Sequence, residues 1–158
     1  MVILLAAGFS RRMGSVNKLL LPIGGVALLR RTAEMLASLP QVRVTVVLGH
    51  DSQKTGEALA GLNVVHTTNP NYGQGLSSSV FHGLASADLA KSYMITPADM
   101  PRLSSADCLE LIKAHRSAPD GAVTIPMRPS LNGPQRGNPI ILSGAAREEV
   151  IAGDVNLG

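Results

Sequence analysis

The stretch that decides the fold stands at the beginning of the chain, where residues 1–22 read MVILLAAGFSRRMGSVNKLLLP. Val2–Leu5 is a short aliphatic run with two β-branched residues, which is typical of a buried strand in a parallel sheet. Ala6, Ala7 and Gly8 then remove side-chain bulk at the point where this strand should end. Because bare backbone can be approached closely, the pattern predicts a ligand-facing turn directly after the first strand.

Cationic residues without acidic neighbours follow this turn. Arg11, Arg12 and Lys18 come soon after Gly8, and the chain has no acidic residue before Glu34. Exposed backbone amides beside uncompensated cations are the usual components of a phosphate site. The loop lacks both the Gly-Lys-Ser/Thr ending of a P-loop and the Gly-x-Gly-x-x-Gly of a dinucleotide fold. A glycine-containing connection with a solvated basic face therefore remains the alternative interpretation.

The composition indicates one globular domain with an aliphatic core. The chain has 158 residues, of which 45% are hydrophobic and only 3% aromatic, and it has no tryptophan. This composition suits helices packed on a sheet and disfavours base-stacking modules, so we expect no nucleic-acid partner. The net charge of +3 is modest, and we interpret its excess in the first loop as attraction for a small polyanion.

The expected compartment follows from cysteine usage and hydrophobic length. Cys108 is the single cysteine, which excludes an internal disulfide, and we interpret it as a small buried helix residue. No apolar segment has the length of a membrane span, and the first residues lack the basic flank of a signal peptide. We therefore expect a cytoplasmic protein with no membrane partner.

The rest of the chain alternates between strand-like and helix-like patterns. Short apolar runs bounded by turns predict strands at residues 42–48, 63–66, 93–96 and 122–126, with another in 136–142. Helical spacing predicts helices at residues 27–38, 52–58 and near 77–83, and one that ends near residue 115. This order predicts an α/β fold, a three-layer α/β/α sandwich with a mostly parallel, Rossmann-like sheet.

A second informative stretch, Thr67–Gly83, combines a turn-rich loop with a serine triplet. Asn-Pro and Gly-Gln-Gly mark the loop, and Ser77–Ser79 open the following helix. One interpretation is that these serines cap the first free amides of the helix. The other is that their hydroxyls and the exposed amides face a ribose, base or phosphate. We interpret His82 as a structural residue.

A third stretch places a carboxylate directly after a predicted buried strand. Asp99 stands between Pro97 and Pro101, which stiffen the backbone on both sides. Ligands of open α/β sheets bind beyond the carboxyl ends of the strands, so Asp99 should meet one, and its carboxylate suits Mg²⁺ beside phosphates. A turn or helix-cap aspartate is the alternative, although Ser104 or Ser105 is better placed to cap the next helix.

Four separated motifs occur in a recognisable order. They are Leu5-Ala6-Ala7-Gly8 with Ser10, Arg12-Met13-Gly14 and Asn17-Lys18; then Gly75, Ser79 and Gly83; then Ala98-Asp99-Met100-Pro101; and finally Gly137-Asn138-Pro139. Together they resemble the MobA-like nucleotidyltransferases, in the molybdenum cofactor cytidylyltransferase branch. The resemblance covers nearly the whole chain and implies a fold of the nucleotide-diphospho-sugar transferase type.

The resemblance also implies roles for the matched residues. It implies that the nucleotide is bound by loop residues near the strand ends, namely Ala6, Ala7, Gly8, Arg12, Lys18, Gly75 and Ser79. It implies catalytic roles for Arg12, Lys18 and Asp99, with Asp99 as the ligand of a Mg²⁺ cofactor. It places the acceptor near Gly137, Asn138 and Pro139. Ala7 stands where the guanylyltransferase branch usually has a second glycine, which implies CTP as the nucleotide.

The implied reaction transfers CMP from CTP to the phosphate of molybdopterin or the molybdenum cofactor and releases pyrophosphate. The implied partners are CTP or another NTP, a molybdopterin-type phosphorylated acceptor, and a molybdoenzyme or its chaperone. Three alternatives stay open. They are the use of GTP or a sugar-phosphate acceptor, a non-catalytic nucleotide-binding module, and a nicotinamide oxidoreductase on a similar sheet.

The end of the chain departs from the resembled family. Members of that family continue past a Gly-Asp loop similar to Gly153-Asp154 and reach a further aspartate that helps to hold the metal. The sequence ends at Gly158 without this residue. We therefore expect a single nucleotidyltransferase domain over residues 1–158 that lacks its C-terminal end, with Asp99 as its one matched metal ligand.

Overall fold

The centre of the sheet is strand β1 (Val2–Ala6), the aliphatic run at the start of the chain, and all five of its residues are buried. The computed structural model describes residues 1–9, 16–131 and 133–153. β1 pairs in parallel with β4 (Val44–Leu48) on one side and with β6 (Ser92–Pro97) on the other. Because β1 has a neighbouring strand at each edge and helices on both faces, each of its side chains is buried, and its sequence is a continuous hydrophobic run.

Three further strands complete the six-stranded sheet of the described residues. β5 (Val65–Thr68) pairs in parallel with β4, whereas β10 (Ile140–Ser143) runs antiparallel to β6 and to β7 (Val123–Thr124). The strand order is β5-β4-β1-β6-β10-β7, so the predicted, mostly parallel sheet is confirmed. Two small hairpins lie outside it, formed by β2 (Pro22–Ile23) with β3 (Val26–Ala27) and by β8 (Met127–Arg128) with β9 (Gln135–Arg136).

Five helices cover the two faces of this sheet in the described part of the chain. Their bounds are α1 (Leu28–Ala37), α2 (Ser52–Ala58), α3 (Leu76–Ser86), α4 (Ser105–Arg116) and α5 (Gly144–Ala152). Side chains alternate across a strand, so Val2 and Leu4 pack with α1 and α4, whereas Ile3 and Leu5 pack with α3 and α5. The three-layer α/β/α sandwich is therefore confirmed. No helix in the described ranges is both long and apolar enough to cross a membrane.

Several predicted bounds need correction. β4 begins two residues later than predicted, β5 is displaced towards the C-terminus, and β7 has only two residues. β5 lies at the edge of the sheet with mostly exposed side chains, so no buried run marks its position. The predicted strand within 136–142 is divided, because Gly137 donates its N–H to Pro126 (2.8 Å) and Pro139 has no N–H for pairing.

Three local predictions about helices are confirmed. Ser104 caps α4, since the Asp107 N–H donates to Ser104 Oγ (3.2 Å) and the Ser104 N–H donates to Asp107 Oδ2 (2.9 Å). Cys108 is fully buried on α4, and burial together with the Asp107 charge raises the pKa of its thiol to about 11. His82 Nε2 lies 2.9 Å from Thr67 Oγ1, which joins α3 to β5 and agrees with a structural role.

Gly83 allows α3 to approach the sheet closely. A Cβ atom at this position would lie 2.5 Å from Ile3 Cγ2 and 2.7 Å from Val47 Cγ2. We expect Gly83→Ala to lower the free energy of unfolding by about 1–3 kcal/mol, because overpacking exceeds the gain in helix propensity. Gly56→Ala on α2 is the matched control: its Cβ would meet Leu48 at 3.7 Å, and we expect no loss of stability. Urea titrations in which both variants change stability equally would contradict this assignment.

His115 joins α4 to two strands and should make stability depend on pH. Its Nδ1 lies 2.8 Å from Thr124 Oγ1, and its Nε2 lies 3.0 Å from Ser92 Oγ. Burial lowers the pKa of His115 below its ordinary value of 6.5, so the unfolded chain binds more protons in this range. The stabilising contribution is therefore complete above pH 6.5 and is lost as the pH falls through the lowered pKa.

When the pH is lowered from above to below 6.5, we expect the unfolding free energy of His115→Gln to fall less than that of the parent chain. Urea titrations at the two pH values measure this difference. The α-amino group of Met1 has the same sign of effect at higher pH, since burial and Arg43 lower its pKa from 8.0. Because His115→Gln removes only the histidine, the variant keeps the pH dependence that comes from the Met1 α-amino group. An identical pH dependence in the variant and the parent chain would show that His115 is not responsible.

Candidate functional site

The carboxyl ends of four parallel strands meet at one edge of the sheet. The strand registers pair Ala6 with Leu48, Leu5 with Pro97, and Leu48 with Thr68. The segments that follow these strands therefore converge, as expected for ligand binding in open α/β sheets. A cavity of about 390 Å³ opens there and is lined by residues from three of these segments and from the turn at residues 18–20.

Most of the nucleotide-site residues predicted from the sequence line this cavity. They are Ala7, Gly8, Lys18, Gly75 and Ser79, and Asp99, the predicted metal ligand, lines it as well. Ala6 does not line it, because it is the buried last residue of β1 and its side chain packs towards α1. Arg12, which was assigned both nucleotide binding and catalysis, lies outside the described residues.

Lys18 and Asp99 form an ion pair in this cavity although they are distant in the sequence. Lys18 Nζ donates to Asp99 Oδ2 at 2.5 Å, and each side chain is 40% exposed. Asn17 holds the 3₁₀ turn that carries Lys18, because its Oδ1 accepts the Leu19 N–H (3.1 Å) and its side chain is buried. The cation and the carboxylate predicted from two separate motifs are thus brought together.

The backbone holds Asp99 at the end of β6. The Ala98 N–H donates to the carbonyl of Leu5 (2.9 Å), which extends the contact between β6 and β1 by one residue. Asp99 does not cap a helix, since Ser104 has that role for α4. The alternative interpretation of Asp99 as a helix cap is therefore wrong, and its partly exposed carboxylate faces the cavity.

Asp99 fits one part of a magnesium site. Within the described ranges, no group of three or more His, Cys, Asp or Glu residues could hold a metal ion. Mg²⁺ is commonly bound by one or two carboxylates, with water and substrate phosphates as the other ligands. A single hard carboxylate on the wall of a cavity large enough for phosphates is compatible with this mode of binding.

The segment between β5 and α3 is organised by Asn69, a residue to which the sequence analysis gave no role. Its Nδ2 donates to Ser78 Oγ (3.0 Å) and Ser79 Oγ (3.1 Å), its Oδ1 accepts the Asn71 N–H (2.9 Å), and its side chain is buried. Gly75 occupies the N-cap position of α3, and no side chain caps this helix. The capping interpretation of the serine triplet is therefore wrong.

Gly49 fixes the position of Ala7 from the neighbouring strand. A Cβ atom on Gly49 would lie 2.7 Å from Ala7 Cβ and 2.8 Å from the Ala7 carbonyl oxygen, and the His50 N–H donates to that oxygen (3.2 Å). The turn after β4 is thus packed against the turn after β1. The sequence predicts no such role for Gly49, because a close approach between two strands cannot be read from either strand alone.

Two aromatic rings lie on the wall of the same cavity. The ring centroids of Phe9 and Tyr72 are 4.9 Å apart with a tilt of 48°, and the His50 ring lies 5.2 Å from Phe9 and 6.4 Å from Tyr72. Phe9 and Tyr72 both line the cavity. The cavity therefore has an aromatic side formed by Phe9 and Tyr72 and a charged side formed by Lys18 and Asp99.

The predicted acceptor residues do not enter this cavity. Asn138 and Pro139 line a second cavity of about 690 Å³, together with residues 100–103 and the side of α4. Gly137 lines neither cavity and packs against Pro126, whose carbonyl accepts its N–H. Pro97 and Asp99 line the first cavity while residues 100–103 line the second, so one short segment contributes to both.

The sandwich and the position of its cavity define a protein of the nucleotide-diphospho-sugar transferase fold. The chain belongs to the MobA-like NTP transferase domain family, whose sequence model matches residues 2–154. This confirms the resemblance identified from the four motifs and assigns the chain to a nucleotidyltransferase family.

Two relatives of this chain carry names that indicate different functions. Nicotine blue oxidoreductase of Paenarthrobacter nicotinovorans is 30% identical over 159 residues, which cover 96% of this chain and 76% of that protein. The bifunctional protein GlmU of Rhodococcus opacus is 30% identical over 133 residues, which cover 78% of this chain but only 27% of GlmU.

Solved structures show the same fold. A homologue of Rv0371c from Mycobacterium sp. strain JC1 has a TM-score of 0.77 at 28% identity and covers 95% of this chain and 72% of that one. CMP:2-keto-3-deoxy-manno-octonic acid synthetase complexed with CTP has a TM-score of 0.76 at 13% identity. The match covers 100% of this chain and 78% of that one. At this low identity, the second likeness concerns the fold alone.

Proposed function

We propose that this protein transfers CMP from CTP to the phosphate of a molybdopterin-type acceptor and releases pyrophosphate. The observation that carries the proposal is the Lys18–Asp99 pair in a cavity lined by Ala7 and by the exposed Gly8. Cations and backbone amides beside a carboxylate are suited to a nucleoside triphosphate with its metal ion. The family supports nucleotidyl transfer, and the choice of CTP and of the acceptor is our inference.

The proposed reaction joins two anions. An oxygen of the acceptor phosphate attacks the α-phosphorus of CTP, a new P–O bond forms, and the bond to the β-phosphate oxygen breaks. Lys18 stabilises the negative charge that develops on the leaving pyrophosphate. No strong general base is required, because the attacking phosphate is already ionised.

Asp99 is the residue that would hold Mg²⁺ in this reaction. When bound, the ion supplies positive charge next to the phosphate oxygens. The contact between Asp99 and Lys18 positions the lysine ammonium at the same part of the cavity. The proposed role of Asp99 is therefore to place both positive charges where the triphosphate binds.

The second cavity is our proposed acceptor site. It is lined by Asn138 and Pro139, which belong to the motif assigned to the acceptor, and by residues next to Asp99 in the chain. An acceptor bound there would need to extend its phosphate past residues 97–101 to reach the first cavity.

We expect CTP to be preferred over GTP. Ala7 lines the cavity at the position where the guanylyltransferase branch usually has glycine, and its methyl group also packs close to Gly49. We infer that the bulkier residue leaves less room for a purine. Initial rates of pyrophosphate release with each nucleotide, at matched Mg²⁺ concentration, test this expectation. Equal or faster use of GTP would remove the assignment to CTP while leaving nucleotidyl transfer in place.

A specific observation favours oxidoreductase activity as a second candidate. The relative that matches 96% of this chain at 30% identity is named nicotine blue oxidoreductase. The cavity would then receive a nicotinamide dinucleotide, although the loop after β1 lacks the Gly-x-Gly-x-x-Gly fingerprint. Oxidation of NADH or NADPH in the presence of nicotine blue, without any use of CTP, would favour this candidate.

A further inference from the structure

The second cavity, of about 690 Å³, has one wall that is formed by a single stripe of α4. The residues of this stripe are Asp107, Glu110, Leu111 and Ala114. They recur at the spacing that places side chains on one face of a helix. Apolar residues of other segments complete most of the lining, namely Met100, Pro101, Leu103, Pro126 and Pro139. The cavity therefore offers a mostly apolar surface to a ring system, with few polar groups to orient it.

Three charged side chains line this cavity in the described part of the chain, and one of them is already engaged. Asp107 Oδ2 accepts the Ser104 Oγ–H (2.6 Å) and the Ser104 N–H (2.9 Å), and these hydrogen bonds lower the pKa of Asp107. Arg102 and Glu110 are exposed, and neither has an ion pair or a side-chain hydrogen bond with a described residue. One cation and one carboxylate of the cavity can therefore bind a ligand.

Arg102 belongs to the segment that contributes to both cavities. It follows Asp99 by three residues, so their Cα atoms are at most about 11 Å apart. The Leu103 N–H donates to the Met100 carbonyl (3.1 Å), so this segment turns and the separation is shorter than that limit. A guanidinium group has several N–H donors and suits phosphate oxygens. A phosphate bound by Arg102 would thus lie close to the site proposed for the nucleotide phosphates.

Glu110 lies on the α4 stripe, on a different element from Arg102. An ionised carboxylate has two acceptor oxygens and no donor, so its best partner is a planar group with two neighbouring N–H donors. The aminopyrimidinone ring of a pterin has such an edge, where a ring N–H stands beside an exocyclic amino group. The flat faces of its fused rings suit the apolar lining of the cavity.

We propose that Glu110 and Arg102 bind the two ends of a pterin phosphate in the second cavity. Glu110 accepts two N–H bonds from the aminopyrimidinone edge, and Arg102 donates to a phosphate oxygen. This inference rests on the proposed function and names the residues that would select its acceptor. Glu110 is then a specificity-determining residue, because a lumazine has a carbonyl oxygen in place of the amino group and would place it against the carboxylate.

The test of Glu110 is a fluorescence titration of the full chain, without CTP, with hydroxymethylpterin phosphate and hydroxymethyllumazine phosphate. We expect the parent chain to prefer the pterin by roughly 10- to 150-fold, the range for a hydrogen bond to a charged group. Glu110→Gln should lose most of this preference. Glu149→Gln is the matched control, since Glu149 is an exposed residue of α5 that does not line the cavity, and it should keep the preference.

Arg102 is tested by comparing hydroxymethylpterin phosphate with unphosphorylated hydroxymethylpterin. Arg102→Gln should weaken binding of the phosphate and leave binding of the unphosphorylated compound unchanged. Arg116→Gln removes the same charge from an exposed position on α4 outside the cavity, and it should change neither. Thermal denaturation of each variant identifies any loss of folding, which would weaken all the probes together.

The outcomes separate this inference from the proposed function. If the parent chain binds the two phosphates equally, or if Glu110→Gln keeps the preference, the role of Glu110 is wrong, whether or not CMP is transferred. If Arg102→Gln affects the phosphorylated and unphosphorylated pterins equally, the role of Arg102 is wrong. If the pterin phosphate binds as expected but CTP is not consumed, the site is supported and the proposed transfer is overturned.

Discussion

Replacing Lys18 by alanine is expected to raise the barrier to turnover at saturating CTP by about 2–4 kcal/mol, a loss of roughly 30- to 1000-fold in rate. The reason is that a preorganised cation at the transferring phosphates stabilises charge that develops only in the transition state. Folding should change little, because Lys18 and Asp99 are each 40% exposed and surface ion pairs contribute about 0–1 kcal/mol. The rate of pyrophosphate release and a urea titration measure the two quantities.

Lys54→Ala is the matched control for this experiment. Lys54 is an exposed lysine on α2 that does not line the cavity, so its loss changes the net charge equally without touching the site. We expect its turnover to equal that of the parent chain. A Lys18→Ala variant that folds and turns over at the same rate as Lys54→Ala would end the proposed role of Lys18.

Asp99→Asn is expected to abolish the coupling between Mg²⁺ and CTP. Linkage is reciprocal, so a metal that raises CTP affinity must itself bind more tightly when CTP is present by the same factor, typically about 5- to 150-fold. Asparagine keeps the shape of the side chain but removes the charge that would hold the ion. Because Lys18 remains in the cavity, CTP should still bind without Mg²⁺.

Calorimetric titration of CTP with and without Mg²⁺ measures this coupling in both forms. Asp88→Asn is the control, since Asp88 forms an exposed ion pair with Arg43 (2.8 Å) and does not line the cavity. It should keep the full Mg²⁺ dependence. If Asp99→Asn keeps that dependence as well, Asp99 is not the metal ligand and its contact with Lys18 is structural.

The strands that could be predicted from the sequence are those whose burial requires a local run of apolar residues. β1 and β6 are enclosed by neighbours, so β1 is a continuous apolar run and β6 contains the apolar run Tyr93–Ile95, which identify them. β5 lies at the sheet edge and carries the largely polar sequence Val-His-Thr-Thr, so the strand was predicted two residues too early, at 63–66. The antiparallel direction of β10 depends on long-range pairing, and no local pattern in Ile140–Ser143 encodes it.

The charged side of the site was predictable for a related reason. Lys18 and Asp99 each follow a recognisable strand, and parallel strands bring their carboxyl ends together. Asn69 and Gly49 were missed because their roles arise from contacts between separate loops. Of the two interpretations of the serine triplet, capping fails because Gly75 takes the N-cap position and Asn69 binds the hydroxyls of Ser78 and Ser79.

The most direct test of the central claim is transfer of label from α-³²P-labelled CTP to a phosphorylated pterin acceptor, measured with pyrophosphate release in the same reaction. The proposed function predicts that both products form in equal amounts, only when acceptor and Mg²⁺ are present, and that Lys18→Ala slows both equally. Binding of CTP without any transfer, when acceptor and Mg²⁺ are saturating, would contradict it and leave a non-catalytic nucleotide-binding module.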